Sequence, residues 1–347
     1  MSYEYLRNII KKYFFLPATK YRYILKGVGT YLPKSVMRFL PEHQHQFYNY
    51  GSIRKQSGDA RTFYSLWLRQ LVILFEQKVP INKIKNVAEF GAGDSLGVGL
   101  AAIISGVDKY YAIDISKNAF SSHNLEIFDQ IVELFKKKEP IPDNKEFPKA
   151  IPILKSYKFP SYILTDDVLK TLLDENRIQK IRQALRSVIK EERIQQDKIS
   201  IQYIVLQNDL DIIKKESLDL IYSFAVMEHV DNFREVYNVF NLWLKNGGLM
   251  AHAVGYNSHN TARLWNGHWT YSDFAWKLIR GRCHYLINRE PHSAQINYIK
   301  EAGFQVIFED KYYEDSMISK KDVVSRFKNI SEDDLKTHSA FIVARKL

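Results

Sequence analysis

The feature that most constrains this chain is a short apolar run that ends in a glycine turn and resumes as a helix: Val87-Ala88-Glu89-Phe90-Gly91-Ala92-Gly93-Asp94-Ser95-Leu96-Gly97. Residues 86–90 read as a strand and 96–104 as a helix closed near Gly106. Residues 109–114 read as a second strand with an acid at its end, completing a strand–helix–strand unit. Gly91 and Gly93 lack a Cβ, so the backbone there turns sharply and lets a ligand approach, and the helix behind it is expected to offer free N–H groups. A phosphate loop needs Gly-Lys-Ser/Thr, which is absent. Glycine spacing alone does not separate a dinucleotide from another nucleoside.

Further strands are expected at 201–206, 218–224, 249–254, 305–308 and 340–344. Helices are expected at 60–78, where Phe63, Leu66, Trp67, Leu71 and Leu74 recur at helical spacing, at 233–244, and at 291–302 before Gly303. This alternation predicts an α/β fold with a mostly parallel sheet covered on both faces, and 347 residues can bury a large core. Residues 117–200 interrupt the alternation for longer than an ordinary connection. They read as a helical insertion: a proline-rich piece, then an amphipathic stretch carrying Leu172, Ile178, Ile181, Leu185 and Val188. The insertion is either a lid over the substrate or a solvated packing appendage.

Residues 1–80 read as a basic helical N-terminal cap, and 81–347 as the main domain. Residues 1–40 hold Arg7, Lys11, Lys12, Lys20, Arg22, Lys26, Lys34 and Arg38 against one acid, Glu4, in a chain of net charge +11. Such an arm either packs onto the domain or contacts an anionic membrane or a lipid-linked substrate. No apolar run reaches the ~18 residues of a membrane span, so a cytoplasmic protein, peripheral at the membrane at most, is expected. The single cysteine, Cys283, excludes an internal disulfide framework.

Two acids narrow the ligand. Glu89, just before the glycines, is placed to face a cationic group and would repel a diphosphate; Asp114, ending the second strand, is placed to take both hydroxyls of a ribose. Charge-assisted hydrogen bonds of this kind contribute roughly 1.5–3 kcal/mol each. Over residues 80–347 the chain resembles the class I S-adenosylmethionine (SAM)-dependent methyltransferases. That resemblance implies a doubly wound, mostly parallel seven-stranded sheet, the Rossmann-like methyltransferase fold, with SAM as cofactor. It assigns Glu89, Gly91, Ala92 and Gly93 to the SAM signature, Asp114 to the ribose with Ile115 beside it among the cofactor contacts, and Asn208 and Asp209 to adenine. Residues 217–230 match the fourth strand and its exit, with Phe224 there counted among the cofactor contacts, and Lys245-Asn246-Gly247-Gly248-Leu249-Met250 matches the turn into the fifth. Ser95 stands where the family has a third glycine.

Methyl transfer to a hydroxyl calls for positioning and a base. His229 and His259 are the candidate bases, with His252 a weaker one. Glu228-His229 resembles part of the metal-assisted set of quinone O-methyltransferases, but the further acid of that set is Ala225 here, so no metal is expected. Residues 255–290 form the expected acceptor segment, with Arg263, His268, Trp269 and Arg289 as substrate-binding candidates; its aromatic residues would equally serve as core. Residues 288–293, Asn-Arg-Glu-Pro-His-Ser, resemble a stretch of methyltransferases from bacterial surface-polysaccharide pathways. The resemblance implies O-methylation of a sugar or a nucleotide-, phosphate- or lipid-linked sugar. Rival readings are a methyltransferase of RNA or of a quinone-like lipid, although nucleic acid is not favoured, and a SAM-binding regulator without turnover. A nicotinamide dehydrogenase is disfavoured by Glu89.

Overall fold

The computed structural model describes residues 20–31, 58–116, 119–191, 198–206, 212–283 and 286–347. Most of the basic arm, and the adenine candidates Asn208 and Asp209, lie outside the described residues.

Helix α1 (Lys20–Gly29) is the described part of the arm. Helix α2 (Ala60–Glu76) starts at Asp59, whose carboxylate accepts from Thr62 N at 2.8 Å, and its apolar stripe buries Phe63, Trp67, Leu71 and Leu74. Then follow β1 (Asn86–Phe90), α3 (Gly97–Ile104), β2 (Lys109–Asp114), α4 (His123–Lys136), α5 (Asp166–Leu172), α6 (Glu175–Ile189) and β3 (Ser200–Val205). The second half holds β4 (Leu218–Phe224), α7 (Phe233–Trp243), β5 (Leu244–Gly255), α8 (Asp273–Arg280), α9 (His292–Glu301), β6 (Phe304–Tyr313), α10 (Glu332–Lys336) and β7 (Thr337–Lys346).

The strands form one sheet of order β3-β2-β1-β4-β5-β7-β6. β7 alone runs against its neighbours β5 and β6. This is the doubly wound, mostly parallel seven-stranded sheet expected, a Rossmann-like methyltransferase fold. The chain winds outward from β1 to β3, then restarts at β4 on the other side of β1. That reversal opens a crevice at the carboxyl ends of β1 and β4, where open α/β sheets bind ligands. On one face, residues of α2, α3, α4 and α6 such as Leu71, Ile103, Phe128 and Ile181 share a core; on the other, Phe240 and Trp243 of α7 pack with Ile299 of α9.

The expected insertion is partly ordinary. Residues 123–136 form α4, the crossover helix between β2 and β3, with Ile127, Phe128, Ile131 and Phe135 buried. Beyond it, α6 buries Ile178, Ile181, Leu185 and Val188. At about 1.5–3 kcal/mol for each fully buried aliphatic side chain, an upper estimate, this fixes the helix on the core. Arg177 at its start donates to Ile103 O (2.8 Å) and Val107 O (3.1 Å), at the sheet edge opposite the glycine turn. The start of α6 is thus packed at the amino edge of the sheet, and its apolar face is core. The proline-rich piece is held separately. Buried Arg69 of α2 donates to Pro142 O, Ala150 O and Pro152 O at 2.7–3.0 Å, and Ile153 N donates to Tyr312 Oη at the carboxyl end of β6.

Helix α1 lies on α8, with Tyr23, Trp276, Ile279 and Leu286 in one apolar cluster. The described part of the arm thus caps the 255–290 segment. Among the described residues no helix is long and apolar enough to cross a membrane.

Candidate cofactor and acceptor site

β1 leaves the sheet through Gly91 (φ +79°) and Gly93 (φ +68°), both in the left-handed region that favours glycine. Gly91 N and Ala92 N both donate to Ile113 O, at 2.8 and 3.1 Å, which ties the turn to β2. A Cβ on Gly91 would stand 2.4 Å from Val226 Cγ2, so the exit of β4 fits only against glycine. Nothing lies within 4 Å of the corresponding position on Gly93, which faces open space. Asp114 Oδ2 accepts from Gly93 N at 2.8 Å and Oδ1 accepts from Ser116 N at 3.1 Å. Ile115, beside it, is exposed. Tyr203 Oη of β3 lies 3.1 Å from Gly93 O and 2.8 Å from Ser116 O, so three strand ends meet at the turn. Phe224 ends β4 with its ring 6.0 Å from that of Tyr222.

The departure at Ser95 has a local account. Its hydroxyl is buried and accepts from Gly97 N (3.2 Å), while Asn124 of α4 accepts from Leu96 N (3.0 Å). Side chains therefore occupy N–H groups at the start of α3 that were expected to be free for a ligand.

Glu89 departs from expectation too. Its carboxylate does not face the crevice; it is buried and accepts from Tyr110 Oη at 2.6 Å and Tyr222 Oη at 3.3 Å. Strand side chains alternate between faces, and Glu89 falls on the face that carries these two tyrosines. Burial pushes its carboxyl up to about 7. Glu89 braces β1 against β2 and β4 beneath the turn, and it gives no ground for rejecting a diphosphate.

The two candidate bases do meet. His229, in the turn after β4, and His259, beyond β5, have ring centroids 5.1 Å apart and nearly perpendicular planes. Glu228 joins them, with Oε1 3.8 Å from His259 Nε2 and 3.3 Å from Gly255 N, which donates to it. In the sequence Glu228 stands only as half of a metal set; its place just past the carboxyl end of β4 is the signal for a part in the site. Burial lowers His259 to about 4, with His229 and His338 adding to the effect, and burial raises Glu228 to about 8. Both are thus held neutral near pH 7. Ala225 (φ 54°), His259 (44°), Asn260 (61°) and Arg289 (69°) are non-glycine residues in left-handed conformations, and such strain gathers at functional sites.

The acceptor candidates divide. Arg263 is exposed and makes no ion pair among the described residues. Trp269 is core: its Nε1 donates to Arg289 O at 2.8 Å and its ring packs with Ile318, Phe327 and Leu335. Arg289 is buried between the Trp276 and Phe327 rings and donates to Tyr271 O (2.7 Å) and Asp273 Oδ1 (2.6 Å), so it is not free for an acceptor's carboxylate or phosphate. An arginine among aromatics looks alike in a ligand site and in a core, which is why sequence favoured the wrong use of both residues. His268 is buried but borders the cleft beside Glu228. His252 lies within 2.8 Å of Ser223 Oγ and stacks on Phe240, a core histidine.

These buried groups shape stability against pH. Glu228 and Glu89, raised from 4.5, contribute stability that is full below about 4.5 and is lost as pH rises through about 8 and about 7. His259 and His252, lowered from 6.5, contribute stability present above 6.5 and lost as pH falls through about 4 and about 3. Calorimetric Tm is expected to fall as pH rises from 6.5, and Glu228→Gln to flatten that fall; an unchanged slope would show that Glu228 does not keep its proton in the folded protein.

No family model and no curated protein matches the chain. Similar solved structures include a SAM-dependent methyltransferase of Mesorhizobium loti (11% identical, covering 78% of this chain and 98% of that one, TM-score 0.36). Another is a SAM-dependent methyltransferase of Methanosarcina mazei (9%, 76% and 94%, TM-score 0.38). A third is phosphoethanolamine N-methyltransferase 2 of Haemonchus contortus in complex with SAM (12%, 87% and 59%, TM-score 0.40). At TM-scores this low, what the chain does has to come from its own residues.

Proposed function

We propose that the chain is a SAM-dependent methyltransferase acting on a hydroxyl of a sugar or sugar-linked acceptor. The observation that carries this reading is the sheet order: a dinucleotide fold runs 3-2-1-4-5-6, whereas here an antiparallel β7 is inserted between β5 and β6. The residues at the turn fit SAM. Gly93 leaves room for a ligand, and Asp114 stands beside it where a ribose would offer its hydroxyls. Asn208 and Asp209 are assigned to adenine by resemblance alone.

Bound SAM supplies an electrophilic methyl group on a sulfonium. The protein's task is to orient the acceptor and receive its hydroxyl proton. His259 is assigned that proton, with His229 facing it and Glu228 behind. A proton taken by His259 places a cation 3.8 Å from the Glu228 carboxyl and favours its ionisation, so the two groups share one charge balance. Asn288 Nδ2 donates to Met227 O (2.9 Å) and Val230 O (2.8 Å), so the stretch resembling surface-polysaccharide enzymes braces this turn. Arg263 is assigned to the acceptor's outer part. Leu25 and Val28 on the exposed side of α1, with Tyr31 in the turn after it, support contact with a lipid-linked acceptor at a membrane surface. The test is transfer of labelled methyl from SAM to a panel of sugar glycosides, RNA and a quinone: label in a glycoside supports the reading, and label in RNA or quinone alone replaces it.

A further inference from the structure

Helix α1 departs from the pattern of an ordinary surface helix. One side is locked onto α8: a Cβ on Gly27 would stand 1.9 Å from Leu278 O, and one on Gly281 would stand 2.2 Å from Gly27 O, so the two backbones meet where only glycine fits. Arg282 N donates to Thr30 Oγ1 at 2.8 Å, and the Arg282 guanidinium lies over the Tyr31 ring, 5.0 Å from its centroid. The two helices therefore form one unit. The outward side of such a helix is expected to be polar. Here Leu25 and Val28, three residues apart, and Tyr31 in the turn beyond are instead 38%, 41% and 50% exposed. On α8, Phe274 is 74% exposed and lies one turn before Leu278, whose carbonyl meets Gly27. Exposed apolar side chains gathered on one unit mark a contact surface.

The charge of this unit says what it contacts. Helix α1 contains Lys20, Arg22 and Lys26 and no acid, and the sequence before it adds Arg7, Lys11 and Lys12 against Glu4. Lys277 of α8 and Arg282 just past its end are exposed. The one acid of α8, Asp273, is already bound to Arg289 and Arg326. Aliphatic and aromatic side chains beside cations match a leaflet of anionic lipid, where acyl chains lie under phosphates. Lysine is depleted in interfaces between proteins, which counts against a protein partner. The unit also reaches the site: Asn260 and Thr261, the two residues after His259, line a small cavity against Tyr23 and Lys26 of α1.

We propose that α1 and α8 form a docking surface for a bilayer that carries anionic lipid. Leu25, Val28, Tyr31 and Phe274 enter the boundary between headgroups and acyl chains, and the cations meet lipid phosphates. Because the surface adjoins the loop that carries His259, a lipid-linked acceptor is presented to the site from the membrane side. That last consequence rests on the methyltransferase reading, whereas the docking itself does not.

The test is flotation of the full chain with vesicles, made either of phosphatidylcholine alone or of phosphatidylcholine and phosphatidylglycerol in equal parts. Binding to the anionic vesicles and not to the neutral ones is expected. The triple variant Leu25→Ser, Val28→Ser, Phe274→Ser is expected to weaken it about tenfold or more, and the double variant Lys277→Gln, Arg282→Gln to a similar degree. All five side chains are exposed, so calorimetric Tm is expected to stay close to that of the wild type. No binding to anionic vesicles would overturn the proposal. Binding that the triple variant leaves unchanged would also overturn it, by showing that the basic arm holds lipid without this surface. A dimer in light scattering that the triple variant dissociates, with vesicles left unbound, would assign the face to a second copy of the chain instead. Failure of S-adenosylhomocysteine (SAH), the demethylated product, to bind the wild type would strike the methyltransferase reading and leave the vesicle result standing.

Discussion

Alanine at His259 is expected to lower turnover by about 10²–10⁴-fold, the usual contribution of a positioned base, and to leave SAH affinity unchanged. The ring reaches the crevice where Glu228 does not: its side chain is 29% exposed against 4% for Glu228. Its backbone is held in the left-handed region by the bond from its own N–H to Asn257 Oδ1, so its position is set before any acceptor arrives. Glu228 acts through it. Glu228→Gln preserves size but removes the ionisation near 8, so a smaller loss of rate is expected, together with disappearance of the corresponding limb from the pH–rate profile. The profile separates a positioning role from mere packing. Full turnover in His259→Ala with a loss in His229→Ala would move the base to His229, and full turnover in both would leave neither ring as the base.

The second large effect concerns Arg69. Its guanidinium is buried, donates to three backbone carbonyls of the proline-rich piece, to Ser65 Oγ and to Asn144 Oδ1, and lies over the Tyr157 ring. Burial lowers its pKa, and Tyr157, Tyr312 and Asp143 oppose that shift. Arg69→Met keeps much of the apolar bulk and leaves three carbonyls without their donor, at about 1–2 kcal/mol each, so a loss on the order of 3–6 kcal/mol is expected. Chemical denaturation measures it, and limited proteolysis should find new cuts between residues 139 and 164. An unchanged midpoint with no new cuts would show that the segment is held elsewhere.

Much of this architecture was legible because its signals are local. The glycine turn, the acid after β2 and the apolar periods of α2, α7 and α9 depend on a few adjacent residues, and each element lies close to where its period puts it. Helix α4 carries its signals in the sequence, Ser122 before it and a clear apolar face, but the prolines from Pro140 onward drew the whole stretch into one reading as an insertion. The site was less legible because orientation is set by neighbours distant in sequence. Glu89 turns inward because Tyr110 and Tyr222 receive it, and Arg289 turns inward because Asp273 and two aromatic rings do. Glu228 gains its place only when the chain returns through Gly255 and His259.

The central claim, that the glycine turn and Asp114 hold SAM, is met most directly by calorimetric titration with SAH beside NADH, in the wild type and in Asp114→Ala. Binding of SAH, weakened about tenfold to a hundredfold in Asp114→Ala as expected for loss of one charge-assisted contact, with no binding of NADH, is the result predicted. Binding of NADH alone, or SAH binding that Asp114→Ala leaves unchanged, would contradict it.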